Sequence, residues 1–108
     1  MGLNHDNSVK LLKGSTRPIN NQQARANVIG ALGSVDMVVY FGANNQGEDN
    51  TPSKILEHLK PDILMKGSDY TIDQLPEAKI VQNYGGEVEI MPHYDGYSTT
   101  GIIQKASA

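Results

Sequence analysis

The apolar positions of this chain fall at helical spacing in some stretches and at strand spacing in others. Residues 22–32 carry apolar side chains at helical spacing and follow Asn20 and Asn21, either of which can cap a helix. Short apolar or alternating runs of strand length recur three times, at residues 36–41, 62–65 and 87–91. Further helices are predicted from Thr51-Pro52, from Thr71 or Asp73 with an interruption at Pro76, and near Ile102.

Helices and strands alternate from residue 22 onward, which is typical of a parallel sheet with right-handed crossovers. The fold class predicted is therefore α/β: a Rossmann-like parallel sheet with helices on both faces. The length of 108 residues suits one domain, residues 1–108. The beginning of the chain differs, because residues 4–8 are polar and residues 10–18 combine three cations with Gly14 and Pro18. We expect a polar loop there, followed by a flexible basic loop.

Composition limits the function classes. The formal net charge is −3, so bulk attraction to nucleic acid or to an anionic membrane is not expected. Cysteine is absent, which excludes disulfides and thiolate zinc sites. The sequence has no apolar run of membrane-spanning length, and Met1 is not followed by a signal-peptide pattern. These features together predict a cytoplasmic protein.

Three stretches carry candidate chemistry, each with an ordinary alternative. Lys66-Gly67 follows an apolar run, and ligands of α/β proteins bind beyond the carboxyl ends of strands. A lysine and a glycine there suit a phosphate, or equally a solvated side chain and a turn. The basic residues 10–18 can close over phosphates or form a plain surface loop. Ser98, Thr99 and Thr100 can bind phosphate at a helix start or simply cap that helix.

Other site types are not supported by the sequence. His5, His58 and His93 are scattered, without metal-ligand spacing or a nucleophile–histidine pattern. The carboxylates form no recognisable dyad, and neither a Walker loop nor a GxGxxG sequence occurs.

The order and spacing of several stretches resemble one enzyme family. They are residues 2–18, Arg25 with residues 30–32 and 35–36, the run Lys60-Pro-Asp-Ile-Leu-Met-Lys-Gly-Ser-Asp-Tyr70, residues 85–88 and residues 96–103. Together these resemble the nucleotidyltransferases of the cytidylyltransferase-like α/β fold. Within that family they are most similar to the adenylyltransferase domain of bifunctional heptose-phosphate enzymes, the ADP-heptose synthases. The resemblance covers nearly the whole chain.

The resemblance implies a reaction of lipopolysaccharide precursor synthesis. A heptose 1-phosphate oxygen attacks the α-phosphate of ATP, and pyrophosphate leaves without a covalent enzyme intermediate. ATP is then a substrate, and Mg²⁺ is expected to arrive with it, although no protein ligands for the metal can be identified. The implied catalytic residues are Lys10, Lys13 and Lys66. The implied nucleotide- or phosphate-binding residues are Asn4, Asp6, Arg17, Arg25, Gly67, Asp69, Tyr70, Ser98, Thr99 and Thr100.

The chain departs from the family pattern in one large respect. The family signature, His-x-Gly-His on the loop after the first strand, does not occur. By that resemblance the sheet is expected to be N-terminally incomplete, to have little activity alone, and to pair into a homo-oligomer, as complete members commonly do. Gly101 is a lesser departure. Two alternatives stay open: a cytidylyltransferase acting on a polyol phosphate or phosphonate, and a non-catalytic truncated paralogue that binds a nucleotide or a partner.

Overall fold

The computed structural model describes residues 1–107 and divides the chain into two compact units, which are considered one at a time. The first runs from Met1 to Lys60 and the second begins at Pro61. Each unit contains one pair of parallel strands together with helices. The predicted α/β class and parallel pairing are therefore confirmed, with two strands in each sheet. Over residues 1–107, every helix is too short or too polar to cross a membrane.

The first unit pairs β1 (Gly2–Asn4) with β2 (Val39–Phe41). The two strands are parallel, with Gly2 opposite Val39 and Asn4 opposite Phe41. Its helices are α1 (Asp6–Lys13), α2 (Gln22–Gly30) and α3 (Ser53–Leu59). Because the strands are parallel, their carboxyl ends meet at one edge, where α1 begins directly after β1.

The start of the chain is more regular than the sequence predicts. The expected polar loop, residues 4–8, instead holds the last residue of β1 and the first turn of α1. The His5 side chain caps that helix by accepting a 3.1 Å hydrogen bond from the Ser8 N–H. The helix ends at Lys13, and the C-cap residue Gly14 has a φ of 97°, a conformation that glycine adopts without strain. Lys10 and Lys13 therefore lie on a helix, and the prediction of a flexible loop from residue 10 is wrong for them.

Boundaries elsewhere in the first unit differ slightly from the predictions. Asn21, one of the two asparagines predicted as possible caps, caps α2 by accepting a 2.8 Å hydrogen bond from the Ala24 N–H. The helix ends at Gly30 instead of residue 32. Strand β2 is shorter than the apolar run that predicted it. Pro52, predicted as the first helical residue of α3, occupies the N-cap position instead.

The second unit pairs β3 (Ile63–Gly67) with β4 (Glu87–Met91) in parallel. A short 3₁₀ helix (Ile72–Gln74), α4 (Pro76–Asn83) and α5 (Thr99–Ser107) complete it. Strand β4 has the predicted bounds. Pro76 does not interrupt a helix but begins α4, since its missing N–H would be unpaired there anyway. Strand β3 continues through Lys66 and Gly67, which the sequence placed after the strand end.

Helix α4 packs on the sheet of the second unit and supplies its core. Ala78 and Val81 are buried on the helix, and Leu75 is buried directly before it. Leu64 and Lys66 of β3 lie on one face of the sheet, since side chains two apart along a strand share a face. The opposite face carries Ile63 and Met65, both largely exposed. The first turn of α4 thus lies within reach of Lys66.

Candidate phosphate-binding site

Arg25 connects three segments at the carboxyl end of β1. Its guanidinium donates to the Asn4 carbonyl at 2.9 Å, to the Asn20 carbonyl at 3.0 Å and to Asp6 Oδ1 at 2.9 Å. Arg25, Asp6 and Asn4 were predicted as binding residues, and the structure brings them together. Three N–H groups of the guanidinium are already used within the protein, so its first role here is to fix the starts of α1 and α2.

The carboxylate of Asp6 is held in its ionised form. Partial desolvation raises its pKa, but the hydrogen bond from Arg25, a backbone hydrogen bond at Gln22 and the charges of Arg25 and Lys10 together lower the pKa below its ordinary value of 3.8. The Asp6 N–H, in turn, donates to Gln22 Oε1 at 2.9 Å. Asp6 therefore serves as an anion at the first turn of α1, where the helix dipole favours one.

Ser8 and Asn50 form a buried polar hub that the sequence analysis did not identify. Ser8 is fully buried; its hydroxyl accepts from Asn4 Nδ2 at 2.7 Å and donates a short hydrogen bond to Asn50 Oδ1. Asn50 also accepts from Ala43 N–H at 2.8 Å and donates to the Ser8 carbonyl at 3.2 Å. Nothing in the sequence indicates that Ser8, a polar residue in a helix capped by a histidine, is buried. The sequence analysis therefore did not identify it.

An open, polar cleft lies beside these contacts in the first unit. It measures about 630 Å³ and is bounded by the first residues of α1 and α2 together with Tyr40 and Asn44. Its volume is in the range of small-molecule sites. The Tyr40 hydroxyl donates to the Gln22 carbonyl at 3.3 Å across one wall.

Three other basic residues of this unit for which a role at the phosphates was predicted lie at the far end of α1 or beyond it: Lys10, Lys13 and Arg17. Lys10 and Lys13 occupy its last turn. Arg17 follows in a turn in which its N–H donates to the Gly14 carbonyl at 3.1 Å. The cations thus lie on a helix end and a tight turn. Their binding of phosphate stays a prediction.

Lys66 in the second unit is partly enclosed by two other side chains. Its ammonium lies 3.4 Å from Glu77 Oε1 and 5.5 Å from the centre of the Tyr70 ring. Glu77 was not predicted, because a Pro-Glu pair at a helix start is the usual pattern of an exposed first turn. Asp69 and Tyr70 are exposed after the strand, and a Cβ added at Gly67 would meet open space.

Ser98 caps helix α5 in the ordinary way. Its hydroxyl accepts a 3.0 Å hydrogen bond from the Gly101 N–H, while its carbonyl accepts from Ile102 N–H at 3.1 Å. Thr99 and Thr100 are the first helical residues. The capping interpretation is therefore confirmed, and phosphate binding by the three hydroxyl residues stays a prediction.

The side chains of residues 1–107 do not gather into a metal site of their own. Among residues 1–107, no group of three or more histidine, cysteine or acidic side chains could hold a metal ion.

Comparison with known proteins identifies relatives along nearly the whole chain. The chain is 50% identical over 108 residues to the bifunctional protein HldE of Mesorhizobium japonicum, covering 100% of this chain and 21% of the relative. It is 49% identical over 106 residues to the HldE of Hyphomonas neptunium, covering 98% and 21% of the two chains. It is 48% identical over 104 residues to that of Gluconobacter oxydans, covering 96% and 20%.

The chain spans about a fifth of the length of these curated relatives. No family model matches it. Identities of this size over nearly every residue of the chain nonetheless show common descent, and they confirm the relationship predicted from the motifs. The chain is therefore similar, over nearly its whole length, to one segment of the bifunctional HldE proteins.

Proposed function

We propose that this chain belongs to the adenylyltransferase part of an HldE-type enzyme, which transfers AMP from ATP to a heptose 1-phosphate and yields ADP-heptose and pyrophosphate. The observation that carries the proposal is the 50% identity to an HldE protein over all 108 residues. The motifs that resemble heptose 1-phosphate adenylyltransferases lie within that matched segment. Nucleotide and sugar phosphate are thus the proposed ligands, and the cytoplasm is the proposed location.

In the proposed reaction the protein mainly positions the two substrates, and none of its own groups forms a covalent bond to them. A phosphate oxygen of the sugar forms a bond to the α-phosphorus of ATP, and the bond from that phosphorus to the pyrophosphate oxygen breaks. Cations and N–H donors stabilise the charge that develops on the transferred group. In this chain Lys10, Lys13, Arg17 and Lys66 supply cations, and the start of α5 supplies N–H groups.

The proposed roles of Asn4, Asp6 and Arg25 follow from their mutual contacts. Arg25 ties the Asn4 carbonyl and the Asp6 carboxylate together, which supports a role in holding the edge of the cleft in shape. Gly67 leaves space beside Lys66, which supports close approach of a phosphate. Asp69 and Tyr70 are exposed next to it and are proposed to contact the nucleotide.

The first experiment measures nucleotide choice by calorimetry with ATP and with CTP. An adenylyltransferase is expected to bind ATP more tightly than CTP. Tighter binding of CTP would favour the cytidylyltransferase alternative, and binding of neither nucleotide would favour the non-catalytic module that binds a partner.

The second experiment measures turnover of ATP and heptose 1-phosphate, with ADP-heptose detected by mass spectrometry. The 108 residues contain no His-x-Gly-His sequence. Loss of one transition-state donor costs about 10²–10³ in rate, so we expect this polypeptide to be slower than a full-length HldE relative by at least about that factor. Turnover at the rate of the full-length relative would contradict this expectation.

A further inference from the structure

Glu77 lies in the first turn of α4, where glutamate is common, but its side chain is unusual in being buried. Its side chain is only 3% exposed, and Oε2 is buried without any hydrogen-bond partner within residues 1–107. A buried carboxylate without compensation is costly, and exposed glutamates at helix starts are the rule. A nearby group must therefore compensate the energetic cost of burying this carboxylate.

The Lys66 ammonium is that group. It lies 3.4 Å from Glu77 Oε1 and is the one ion-pair partner of Glu77 among the described residues. The Lys66 side chain is 27% exposed, so the ammonium has one side toward Glu77 and another open to solvent. The face of the Tyr70 ring, 5.5 Å away, provides a second attraction for the cation.

We propose that Glu77 limits how strongly Lys66 binds phosphate, by competing with the phosphate for the same ammonium. This inference rests on the proposed function, in which Lys66 contacts the phosphates of the nucleotide. Glu77 is then a tuning residue that acts through Lys66 and does not touch the ligand, since its carboxylate is buried. It sets the affinity of the site for polyphosphates, which include both the substrate ATP and the product pyrophosphate.

The competition arises because the phosphate and the Glu77 carboxylate are both negatively charged. Both would lie close to the Lys66 ammonium, and they would repel each other. A phosphate that reaches the exposed side of the ammonium lies a few ångströms beyond the Glu77 carboxylate. Because Glu77 is buried, salt and water screen that repulsion less than they would between surface charges. Losing the Glu77 charge also frees the lysine, but the Tyr70 ring still restricts it, so relief of the repulsion is the larger effect. A site with this arrangement releases pyrophosphate more readily than a lone lysine would.

The test compares Glu77→Gln with the wild-type chain, using calorimetry with ATP and with inorganic tripolyphosphate. Glutamine keeps the shape of the side chain and removes its charge. We expect both ligands to bind about threefold to tenfold more tightly to the variant. A merely structural role for Glu77 would give unchanged or weaker binding.

Two further variants complete the design. Glu89→Gln is the matched control: Glu89 is exposed on β4, on the face opposite Lys66, so its loss changes the net charge equally and should leave affinity almost unchanged. Lys66→Met with Glu77→Gln replaces the whole pair by neutral side chains without leaving a buried charge, and should bind more weakly than Glu77→Gln alone. If circular dichroism shows that Glu77→Gln does not fold, Glu77→Met removes the same charge and is tested by the same calorimetry.

The outcomes separate this inference from the proposed function. Tighter binding by Glu77→Gln, abolished in the double variant, supports the inference. If Glu77→Gln binds no more tightly than wild type while the double variant binds more weakly, the role of Glu77 is overturned and Lys66 stays in the site. Equal binding by all three proteins overturns both the inference and the proposed contact between Lys66 and the nucleotide.

Discussion

Asn50 is the residue on which the polar contacts of the first unit converge. Its side chain accepts from the Ser8 hydroxyl and the Ala43 N–H, and donates to the Ser8 carbonyl. Asn50→Ala would leave these groups without partners next to a fully buried serine. We expect the free energy of unfolding to fall by about 2–4 kcal/mol, measured by chemical denaturation.

Asn45→Ala is the control for this prediction. Asn45 lies in the same loop, is exposed, and its side-chain amide donates a 2.7 Å hydrogen bond to the nearby Glu48 carboxylate. Its removal should change stability by less than about 0.5 kcal/mol. Similar losses in both variants would show that the loop, and not the Asn50 hub, is what the substitutions disturb.

The lowered pKa of Asp6 makes a prediction about acid stability. Despite partial desolvation, the Arg25 and Gln22 contacts keep the pKa of this carboxyl below 3.8 in the folded protein. A carboxyl with a depressed folded pKa contributes stability above its unfolded pKa, and this contribution is lost as the pH falls through the folded pKa. Asp6→Asn should therefore lower the melting temperature near neutral pH, and the difference from wild type should vanish in the acid range below 3.8.

Melting curves of the wild type, Asp6→Asn and Asp36→Asn, recorded from neutral pH to below pH 3.8, would test this prediction. Asp36 is exposed and has no hydrogen bond or ion pair among the described residues, so its substitution controls for net charge. A difference between wild type and Asp6→Asn that persists unchanged in acid would contradict a role for the ionised carboxylate.

Among the helices and strands, those with a regular sequence pattern or a common capping residue could be predicted. The alternation of Glu87–Met91 gave β4 its bounds, and Asn21 marked the start of α2. Helix α1 was missed because its cap is a histidine side chain, whereas Ser, Thr, Asp and Asn are the usual caps. The Lys66–Glu77 pair was missed because it joins a strand to a helix eleven residues later, and tertiary pairing of that kind leaves no local pattern.

The turn from α4 into β4 depends on Gly86. A Cβ at this position would lie 2.7 Å from Val81 Cγ1 and 3.1 Å from the Pro61 carbonyl oxygen. Since Val81 is fully buried, it cannot easily move away. Gly86→Ala is expected to destabilise the protein by about 1–3 kcal/mol in chemical denaturation.

Gly67→Ala provides the contrast, because a Cβ there would meet nothing within 4 Å. It should leave the unfolding free energy nearly unchanged. Weaker ATP binding by this folded variant would then report on close approach of the ligand at Gly67. Equal destabilisation by the two alanine substitutions would refute the packing argument at Gly86.

At the scale of the whole molecule, each unit presents unpaired strand edges. Each sheet within residues 1–107 has two strands, so every strand has one edge without a ladder partner. The second sheet also exposes Ile63 to 48% and Met65 to 58% on one face. Open edges and apolar patches of this kind commonly mark sites of association. The parallel pairing was predictable from the alternation of elements, but the division into two strand pairs was not, since sequence periodicity does not specify which strands become neighbours.

These exposed groups lead to a prediction of self-association. We expect the chain to form a homo-oligomer at micromolar concentration, because pairing would cover Ile63 and Met65 and supply hydrogen-bond partners to strand edges. Light scattering over a dilution series, with circular dichroism at each concentration, would measure it. Met65→Lys should shift the association toward monomer, since it places a charge in the apolar face, whereas Leu12→Lys, at an exposed position on α1, should not. A folded protein that stays strictly monomeric throughout the series would show that this face is stable in water without a partner.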